Sequence, residues 1–218
     1  MDFDLTFVWR NLPIFVDGLI VTIELSTAAV FLALVWGLVV AFGRLSLRKA
    51  LRWPASAFIE VMRNTPVLVQ MYVVFFGSAV LGFPLSGFAS GLLALTLQNG
   101  AYFAEIYRAG VDSVGHRQAE AGKALGMYGW KLFFIVILPQ ALRRVLPPIG
   151  NQGVAIIKDT ALVSTFSVAE LTFEARVLTD RTAAATETFA TLAAFYLVLT
   201  ASFAGAIRLM EARTRLAA

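Results

Sequence analysis

The sequence contains no cysteine, a single histidine and few charged residues. Of its 218 residues, 15% are charged and 59% are hydrophobic, whereas a typical globular domain carries about 25% charged residues. The absence of cysteine excludes disulfides, thiolate metal ligands and cysteine nucleophiles. The histidine, His116, lies in a basic segment far from Ser164, so a nucleophile–base pair for an intramembrane enzyme is not indicated.

Two further sequence signals are missing. A phosphate-binding P-loop requires Gly-x-x-x-x-Gly-Lys followed by Ser or Thr, but Gly122 and Lys123 precede Ala124, and Arg117 stands where the first glycine is needed. The sequence therefore shows no P-loop for nucleotide phosphates, and we expect neither a cofactor nor a metal here. Residues 1–17 carry three Asp and one Arg, which is unlike the basic start of a cleaved signal peptide.

Long uncharged runs predict an all-α integral membrane protein. A helix needs about 20 mostly apolar residues to cross the hydrocarbon core. Such runs cover residues 25–43, 64–104 and 188–207, and the second is divided by a turn-rich cluster at 82–87. We therefore predict a single domain over residues 1–218. Its five transmembrane helices are expected at about 19–43, 65–82, 87–107, 146–168 and 188–208.

The positions of Lys and Arg predict the orientation, because basic residues accumulate in cytoplasmic loops. With Lys158 set aside, 14 cations fall on one side of the five predicted spans and three on the other. We therefore expect the N-terminus outside and the C-terminus in the cytoplasm. The cytoplasmic set is Arg44, Arg48, Lys49, Arg52, Arg63, Arg108, Arg117, Lys123, Lys131, Arg143, Arg144, Arg208, Arg213 and Arg215, and the outer set is Arg10, Arg176 and Arg181.

The basic loop at about 112–144 contains apolar residues that do not make a span. Residues 117–125 predict a short helix closed by Gly126. Residues 128–138 are apolar but too short to cross, and Pro139 is expected to end them. This pattern indicates either a helix that anchors the loop to the membrane surface or a docking element for a cytoplasmic partner.

Lys158 and Asp159 lie inside the otherwise uncharged segment 145–169. Charge at that depth costs at least ~2.5–3.5 kcal/mol per residue and is usually retained for a pathway or a partner. Consecutive helix residues point about 100° apart, so the two side chains cannot both face one spot. Either they hold the bundle together, or one of them contacts a polar substrate.

Four ordered motifs resemble one family. Residues 120–126 (Glu-Ala-Gly-Lys-Ala-Leu-Gly), followed by 137–141 (Ile-Leu-Pro-Gln-Ala), resemble the EAA loop of ABC importer permeases. Residues 63–70 resemble the RxTPxLVQ segment of the polar amino acid uptake subfamily, whose members include histidine, glutamate, glutamine, arginine and opine permeases. Residues 100–110 resemble its third-span signature, and Lys158-Asp159-Thr160 continues the match. At Gly122 the EAA loop usually has alanine.

The resemblance implies the transmembrane domain of a type I ABC importer in a bacterial inner membrane. It implies an ATP-binding cassette subunit, a second permease chain, an extracytoplasmic amino acid-binding protein and the lipid bilayer as partners, and no nucleic acid. The residues that would couple to the ATPase are Arg117, Glu120, Ala121, Gly122, Leu125 and Gly126. The candidate substrate path consists of Gln98, Asn99, Tyr102, Lys158, Asp159, Thr160 and Ser164.

The resemblance favours a permease that moves a polar or charged amino acid and is not itself an enzyme. The alternative is an ion-coupled secondary amino acid transporter. Such transporters commonly contain inverted repeats, and no internal repeat is visible here. The acidic outer residues, including Glu170 and Glu174, mark either a docking surface for the binding protein or a solvated loop.

Overall fold

The computed structural model describes residues 3–215, and side chains from 3 to 213. Arg215, one of the predicted cytoplasmic cations, lies outside the described side chains. Within this part of the chain every regular element is helical. The elements are α1 Leu5–Leu45, α2 Lys49–Asn64, α3 Val67–Val80, α4 Gly87–Ser113, α5 His116–Ala124, α6 Gly129–Leu132, a π-helical turn Phe133–Ile137, α7 Leu138–Asp159, a 3₁₀ segment Thr160–Phe166, α8 Leu171–Thr182 and α9 Ala185–Arg215.

Helix α4 is the centre of the bundle, where it packs against α1, α2, α3 and α7. Glycines allow the close approach of α1 and α4: a Cβ on Gly100 would lie 2.4 Å from Trp36 Cδ1, and one on Gly37 would lie 2.7 Å from Phe103 Cβ. Small residues let helix backbones approach in this way, which is how helices associate where lipid removes the hydrophobic drive. The resulting core includes Leu25, Ala29, Leu95 and Phe103.

Three helical stretches are long and apolar enough to cross a membrane in the described part of the chain: Leu5–Leu45, Gly129–Phe166 and Ala185–Arg213. Helix α3 is apolar but has only 14 residues. Helix α4 has 27 residues, and the polar side chains in its second half reduce its apolar character. The predicted spans at 65–82 and 87–107 therefore rest on α3 and α4.

The turn-rich cluster predicted at 82–87 separates α3 from α4 in the structure. Helix α3 ends at Val80, and α4 begins at Gly87 after Ser86, whose hydroxyl accepts the amide hydrogen of Ala89. Gly82 has a φ of +85°, a backbone conformation that side chains disfavour. Pro66 immediately precedes α3, as expected of a proline that shapes the start of a helix.

Helical structure extends beyond the predicted spans in three places. Helix α1 begins at Leu5, and its N-terminal part packs Phe15 against Leu171 of α8 and Leu192 of α9. The basic loop after it is mostly the helix α2, whose Ile59 is buried against Val40 and Ala101. The outer loop likewise contains α8, which begins at Glu170 as its cap.

Pro139 does not end the apolar segment, contrary to the sequence-based expectation. Residues 129–166 form one continuous helical stretch. A proline ring collides with the carbonyl of the preceding turn in a regular helix, but here the turn just before it is π-helical. The wider π turn moves those carbonyls, so the helix continues through Pro139.

Candidate functional site

One face of α4 carries the polar residues of the candidate path. Gln98, Tyr102 and Glu105 are four and three residues apart, which places them on one side of the helix. The opposite side is held against α1 by the close contact of Gly100 with Trp36. The packing of α1 thus turns the polar face of α4 towards α2 and α7.

Asn99 and Gln98 are buried and hydrogen bonded within the chain. The Gln152 amide donates from Nε2 to Asn99 Oδ1 at 2.7 Å, and Asn99 Nδ2 donates to the Leu95 carbonyl at 2.8 Å. Gln98 Nε2 donates to the Thr65 carbonyl at 3.2 Å. These donors are therefore engaged in joining α4 to α7 and to the residue that precedes Pro66.

Gln70 completes the bonding at the break between α2 and α3. Its Nε2 donates to the carbonyls of Met62 and Thr65 at 2.9 and 3.0 Å. The end of α2 cannot satisfy these carbonyls internally because Pro66 has no amide hydrogen. The Gln152 side chain thus links two long helices, whereas Gln70 acts across a helix break.

A cavity of about 610 Å³ lies beside this polar face, between α4 and α7. Tyr102 is the member of the predicted path that lines it, together with Asn151 and Gln152 of α7. The Arg63 guanidinium lies 5.2 Å from the centre of the Tyr102 ring, in cation–π contact. The cavity therefore has a polar wall and one aromatic wall with a cation.

Glu105 lines this cavity and is surrounded by cations. Its carboxylate accepts bonds from Arg108 Nε and Nη2 at 2.9 to 3.2 Å, a bidentate pair within α4 that fixes both side chains. Arg108 also bonds Asp112 at 2.6 Å. Arg44, at the end of α1, approaches the Glu105 carboxylate at 3.6 Å, and this contact links α1 to α4.

The remaining path residues lie elsewhere along the helical stretch 129–166. Lys158 is exposed, Asp159 is half-buried, and the fully buried Thr160 donates its hydroxyl to the Ile157 carbonyl at 2.7 Å. Ser164 lines a second cavity of about 310 Å³ beside α8, together with Arg176 and Asp180. The seven predicted residues thus do not form one cluster.

A polar stripe on α7 runs from the cavity beside α4 to Lys158. The residues predicted from the sequence did not include this stripe as a unit. Arg144, Asn151 and Lys158 are seven residues apart, which is almost two full turns, so they share a face. All three are exposed. The seven-residue spacing of polar side chains in an apolar segment was the signal that could have revealed it.

The predicted coupling residues lie on and just beyond α5. Arg117, Glu120 and Ala121 are exposed, and the Leu125 side chain is 76% exposed. Gly126 has a φ of +76°, and the Met127 amide donates to the Gly122 carbonyl at 3.0 Å. This is the glycine-terminated helix end that the sequence predicted.

Gly122 has a role inside the chain. It is buried, and a Cβ there would lie 2.5 Å from Leu132 Cδ1. The missing side chain allows α5 to rest on the apolar helix that follows it. This close approach gives a packing reason for glycine at a position where the EAA loop usually has alanine.

Comparison with known proteins adds three findings. The family model described as "Binding-protein-dependent transport system inner membrane component" matches residues 33–216. The glutamine transport system permease protein GlnP of Escherichia coli strain K12 is 35% identical over 99% of this chain and 100% of its own length. A probable amino-acid ABC transporter permease protein, y4tG of Sinorhizobium fredii, is 34% identical over 95% of this chain and 90% of its own.

A solved structure has the same fold. A crystal structure of an amino acid ABC transporter with histidines contains a chain that superposes with a TM-score of 0.93 at 36% identity. The match covers 98% of the present chain and 100% of that chain. The similarity thus extends over all the helices from α1 to α9.

Proposed function

The chain belongs to the family of binding-protein-dependent transport system inner membrane components, as a permease subunit of an amino acid ABC importer, and from this premise we propose how it works. It forms half of a translocation path for a polar or charged L-amino acid. A substrate-binding protein delivers the amino acid outside, and a separate ATP-binding subunit supplies the energy. The chain itself catalyses no reaction, and its membrane is the inner membrane of a bacterium.

The exposed Lys158 is the observation that carries the proposal. It lies at the end of α7, in a helical stretch long and apolar enough to span a membrane. A lysine facing lipid at that depth costs at least ~2.5–3.5 kcal/mol. The stripe of Arg144, Asn151 and Lys158 therefore faces a polar space, and this space forms when a second permease chain covers α7.

We propose five crossings with the N-terminus outside. They are made by α1 from about residue 19, by α3, by α4, by α7 with its 3₁₀ extension, and by α9. The transmembrane domain covers residues 1–218, with the spans near 19–43, 65–82, 87–107, 146–168 and 188–208. The 14-to-3 distribution of cations supports this orientation.

The path runs along the facing sides of α4 and α7. An amino acid carries one ammonium and one carboxylate, so it needs both a hydrogen-bond acceptor and a cation. The cavity provides Glu105, Arg63 and the Tyr102 hydroxyl, and the stripe continues to Lys158 and Asp159. In this proposal Gln98 and Asn99 support the wall, because their amide donors are bonded to Thr65 and Leu95. Thr160 and Ser164 stay in the path as candidates for its outer part.

Coupling to ATP hydrolysis occurs at the α5 helix. Arg117, Glu120 and Ala121 form an exposed surface, and Leu125 extends it with 76% of its side chain accessible. Gly122 lets this helix pack closely against Leu132, and Gly126 ends it. Because α6, the π turn and α7 are continuous, a push on α5 is transmitted along a rigid element into the path.

On the outside, the acidic residues around α8 are the proposed docking surface for the amino acid-binding protein. Glu174 and Asp180 lie on this helix, with Arg176 and Arg181 between and beyond them. The mixture of signs suits a transient interface whose register is set by charge.

Reconstitution separates this function from ion-coupled transport. Liposomes that contain the chain, its ATP-binding subunit and the loaded receptor should accumulate radiolabelled amino acid against a gradient only when ATP is enclosed. A non-hydrolysable ATP analogue is the matched control and should abolish accumulation. Uphill uptake by the permease chain alone, driven by a sodium or proton gradient, would overturn the proposal in favour of a secondary transporter.

A further inference from the structure

The junction between α1 and α2 exposes cations and apolar side chains side by side. We name this segment, residues 45–53, the elbow. Arg48, Lys49 and Arg52 are exposed in it. The apolar side chains of Leu47, Leu51 and Trp53 are 96%, 53% and 75% exposed. Three large apolar side chains exposed this close together indicate a surface that contacts something other than water.

Acidic partners at this end of the molecule are used by another cation. Arg44, one residue before the elbow, approaches Glu105 and donates to Ser56 Oγ at 2.8 Å. Among the described side chains, the ion pairs of this region join Arg44 and Arg108 to Glu105, and Arg108 to Asp112. The three elbow cations have no part in them and remain available to an external anion.

One face of helix α2 is covered by the bundle, and the other, which includes the exposed Glu60, is not. Ala55, Ile59 and Met62 pack inwards against α1 and α4. The other face carries Trp53 and, eight residues on, Val61, which is 57% exposed. Eight residues are close to two turns, so these side chains form a stripe on the outer side of α2.

The elbow residues are ordered along the axis of α1. Ala55 lies against Gly43 near the end of α1, whereas the Phe58 ring contacts Trp36 with 5.9 Å between ring centres. Helix α2 therefore runs back along α1, away from its basic end. Moving away from that end, the exposed groups are first Arg48, Lys49 and Arg52, then Trp53, and finally Glu60, Val61 and Arg63.

Cations beside an exposed tryptophan are typical of the headgroup and interfacial layers of a bilayer leaflet. We propose that the elbow is a binding site for anionic phospholipid. The phosphates of the headgroups pair with Arg48, Lys49 and Arg52, and the acyl chains lie on Leu47, Leu51 and Trp53. The inference rests on the proposed cytoplasmic position of the elbow, and it goes beyond the transport function.

The occupant is lipid because three cations lie together in the first turn of α2 and the loop before it, beside three exposed large apolar side chains. The phosphate and the acyl chains of one phospholipid satisfy both kinds of side chain. The other cation of α2, Arg63, lies in its last turn against the Tyr102 ring. Clusters of basic residues next to a transmembrane helix typically bind anionic lipid, with about fivefold in partition for each cation.

The test uses the whole complex of permease, ATP-binding subunit and receptor in nanodiscs. The lipids are equimolar phosphatidylglycerol and phosphatidylcholine, and mass spectrometry measures those retained after extraction into detergent. We expect phosphatidylglycerol to be retained several-fold over phosphatidylcholine. The variant R48Q/K49Q/R52Q should lose this preference, whereas R10Q/R176Q/R181Q, which removes three cations from the opposite end, should keep it.

A fluorescence measurement checks the same site without those charge variants. The Trp53 fluorescence is the difference in emission between the unaltered complex and its Trp53→Phe variant. Brominated phosphatidylglycerol should quench this fluorescence more strongly than brominated phosphatidylcholine does. Equal retention of the two lipids by the unaltered complex would overturn the proposal. So would a Trp53 that neither brominated lipid quenches, because protein would then cover the elbow. Neither measurement requires transport, so a failure here is distinguishable from a failure of the transport proposal.

Discussion

The side-chain amide of Gln152 donates to Asn99 Oδ1 across 2.7 Å and joins α7 to α4 at the centre of the bundle. Asn99 is 1% exposed, and its own amide donates to the Leu95 carbonyl. Because both the oxygen and the nitrogen of its side-chain amide are hydrogen bonded, Asn99 has a fixed orientation between these helices. Movement of α4 relative to α7 must break this bond or carry both helices together.

Replacing Gln152 with leucine should therefore destabilise the bundle. The change leaves Asn99 Oδ1 buried without a donor, which costs about 1–3 kcal/mol. Denaturation of the purified complex measures the loss, and a double-mutant cycle with Asn99→Ala should give a coupling near the ~0.6 kcal/mol average for membrane proteins. Asn151→Ala, next to it but exposed, is the control and should change stability by less than about 0.5 kcal/mol. Equal stability of the two variants would contradict this role.

Alanine should have opposite effects at two glycines, one at the α1–α4 contact and one on the surface of α3. Gly100→Ala puts a Cβ 2.4 Å from Trp36 Cδ1 and should cost about 1–3 kcal/mol through overpacking. Gly77→Ala on α3 meets nothing within 4 Å, and should be neutral or should stabilise the helix by up to about 1 kcal/mol. Thermal unfolding of the two variants in the same detergent gives the comparison. A tolerated Gly100→Ala would show that α1 and α4 are not tightly apposed.

Glu120→Arg should uncouple ATP hydrolysis from transport while leaving the chain inserted. The side chain is exposed on α5, so reversal of its charge changes the surface offered to the ATP-binding subunit and leaves the core intact. The assays are amino acid uptake and stimulation of ATP hydrolysis by the loaded receptor. Glu60→Arg makes the same change on the exposed side of α2 and should preserve both activities. Normal uptake by the Glu120 variant would count against the docking role.

Asp159→Asn should lower uptake by about tenfold or more without preventing assembly, because a hydrogen bond to a charged group contributes about 1.5–3 kcal/mol. The half-buried position of Asp159 leaves it accessible to a substrate. Lys158→Gln, on the exposed stripe, should also lower uptake. The fraction of this variant that assembles should be at least as large as for Asp159→Asn. Co-purification with the ATP-binding subunit reports assembly. If the Asp159 variant instead fails to assemble, the residue is architectural.

Stability at the outer surface should depend on pH through Glu170. This carboxyl caps α8, accepts the Phe173 amide hydrogen at 2.8 Å and the Tyr196 hydroxyl at 3.0 Å, and is fully buried. Burial raises its pKa above the ordinary value, against the lowering effect of those bonds. The folded state then holds the proton more tightly than the unfolded state, so the unfolding free energy decreases as pH rises from the unfolded pKa through the raised one.

Hydrogen exchange of the α8 amides at pH 5 and pH 8 measures this dependence. Protection should be greater at pH 5, and Glu170→Gln, which keeps an oxygen for the cap, should remove the difference. Asp180→Asn, on the exposed side of α8, is the control and should leave the pH dependence unchanged. A pH effect that persists in the Glu170 variant would assign it to another group.

The sequence predicted those parts of the fold that depend on local chemistry. Gly82 and Ser86 mark the end of α3 and the start of α4, and Gly126 marks the end of α5. Lys158 and Asp159 were expected to point apart, and one is exposed while the other is half-buried. Turn residues and helical geometry carry this information without reference to the rest of the chain.

The missing parts depend on contacts between helices. Helix α2 looked like a basic loop, because only its packing of Ile59 on α1 and α4 distinguishes it from one. The rotation of α4 that brings Asn99 to Gln152 follows from the fit of Gly100 on Trp36, 64 residues away in sequence. Such distant pairs leave no periodic signal in the sequence. For the same reason, the sequence could not show that Tyr102 and Ser164 belong to different cavities.

The π turn at Phe133–Ile137 sets the rotation of α7 about its axis relative to the helices before it. Deletion of one residue there should turn α7 by about 100°, while the helices on both sides of the turn remain intact. Arg144, Asn151 and Lys158 would then face another direction, and in the proposed mechanism their shared face would no longer border the transport path.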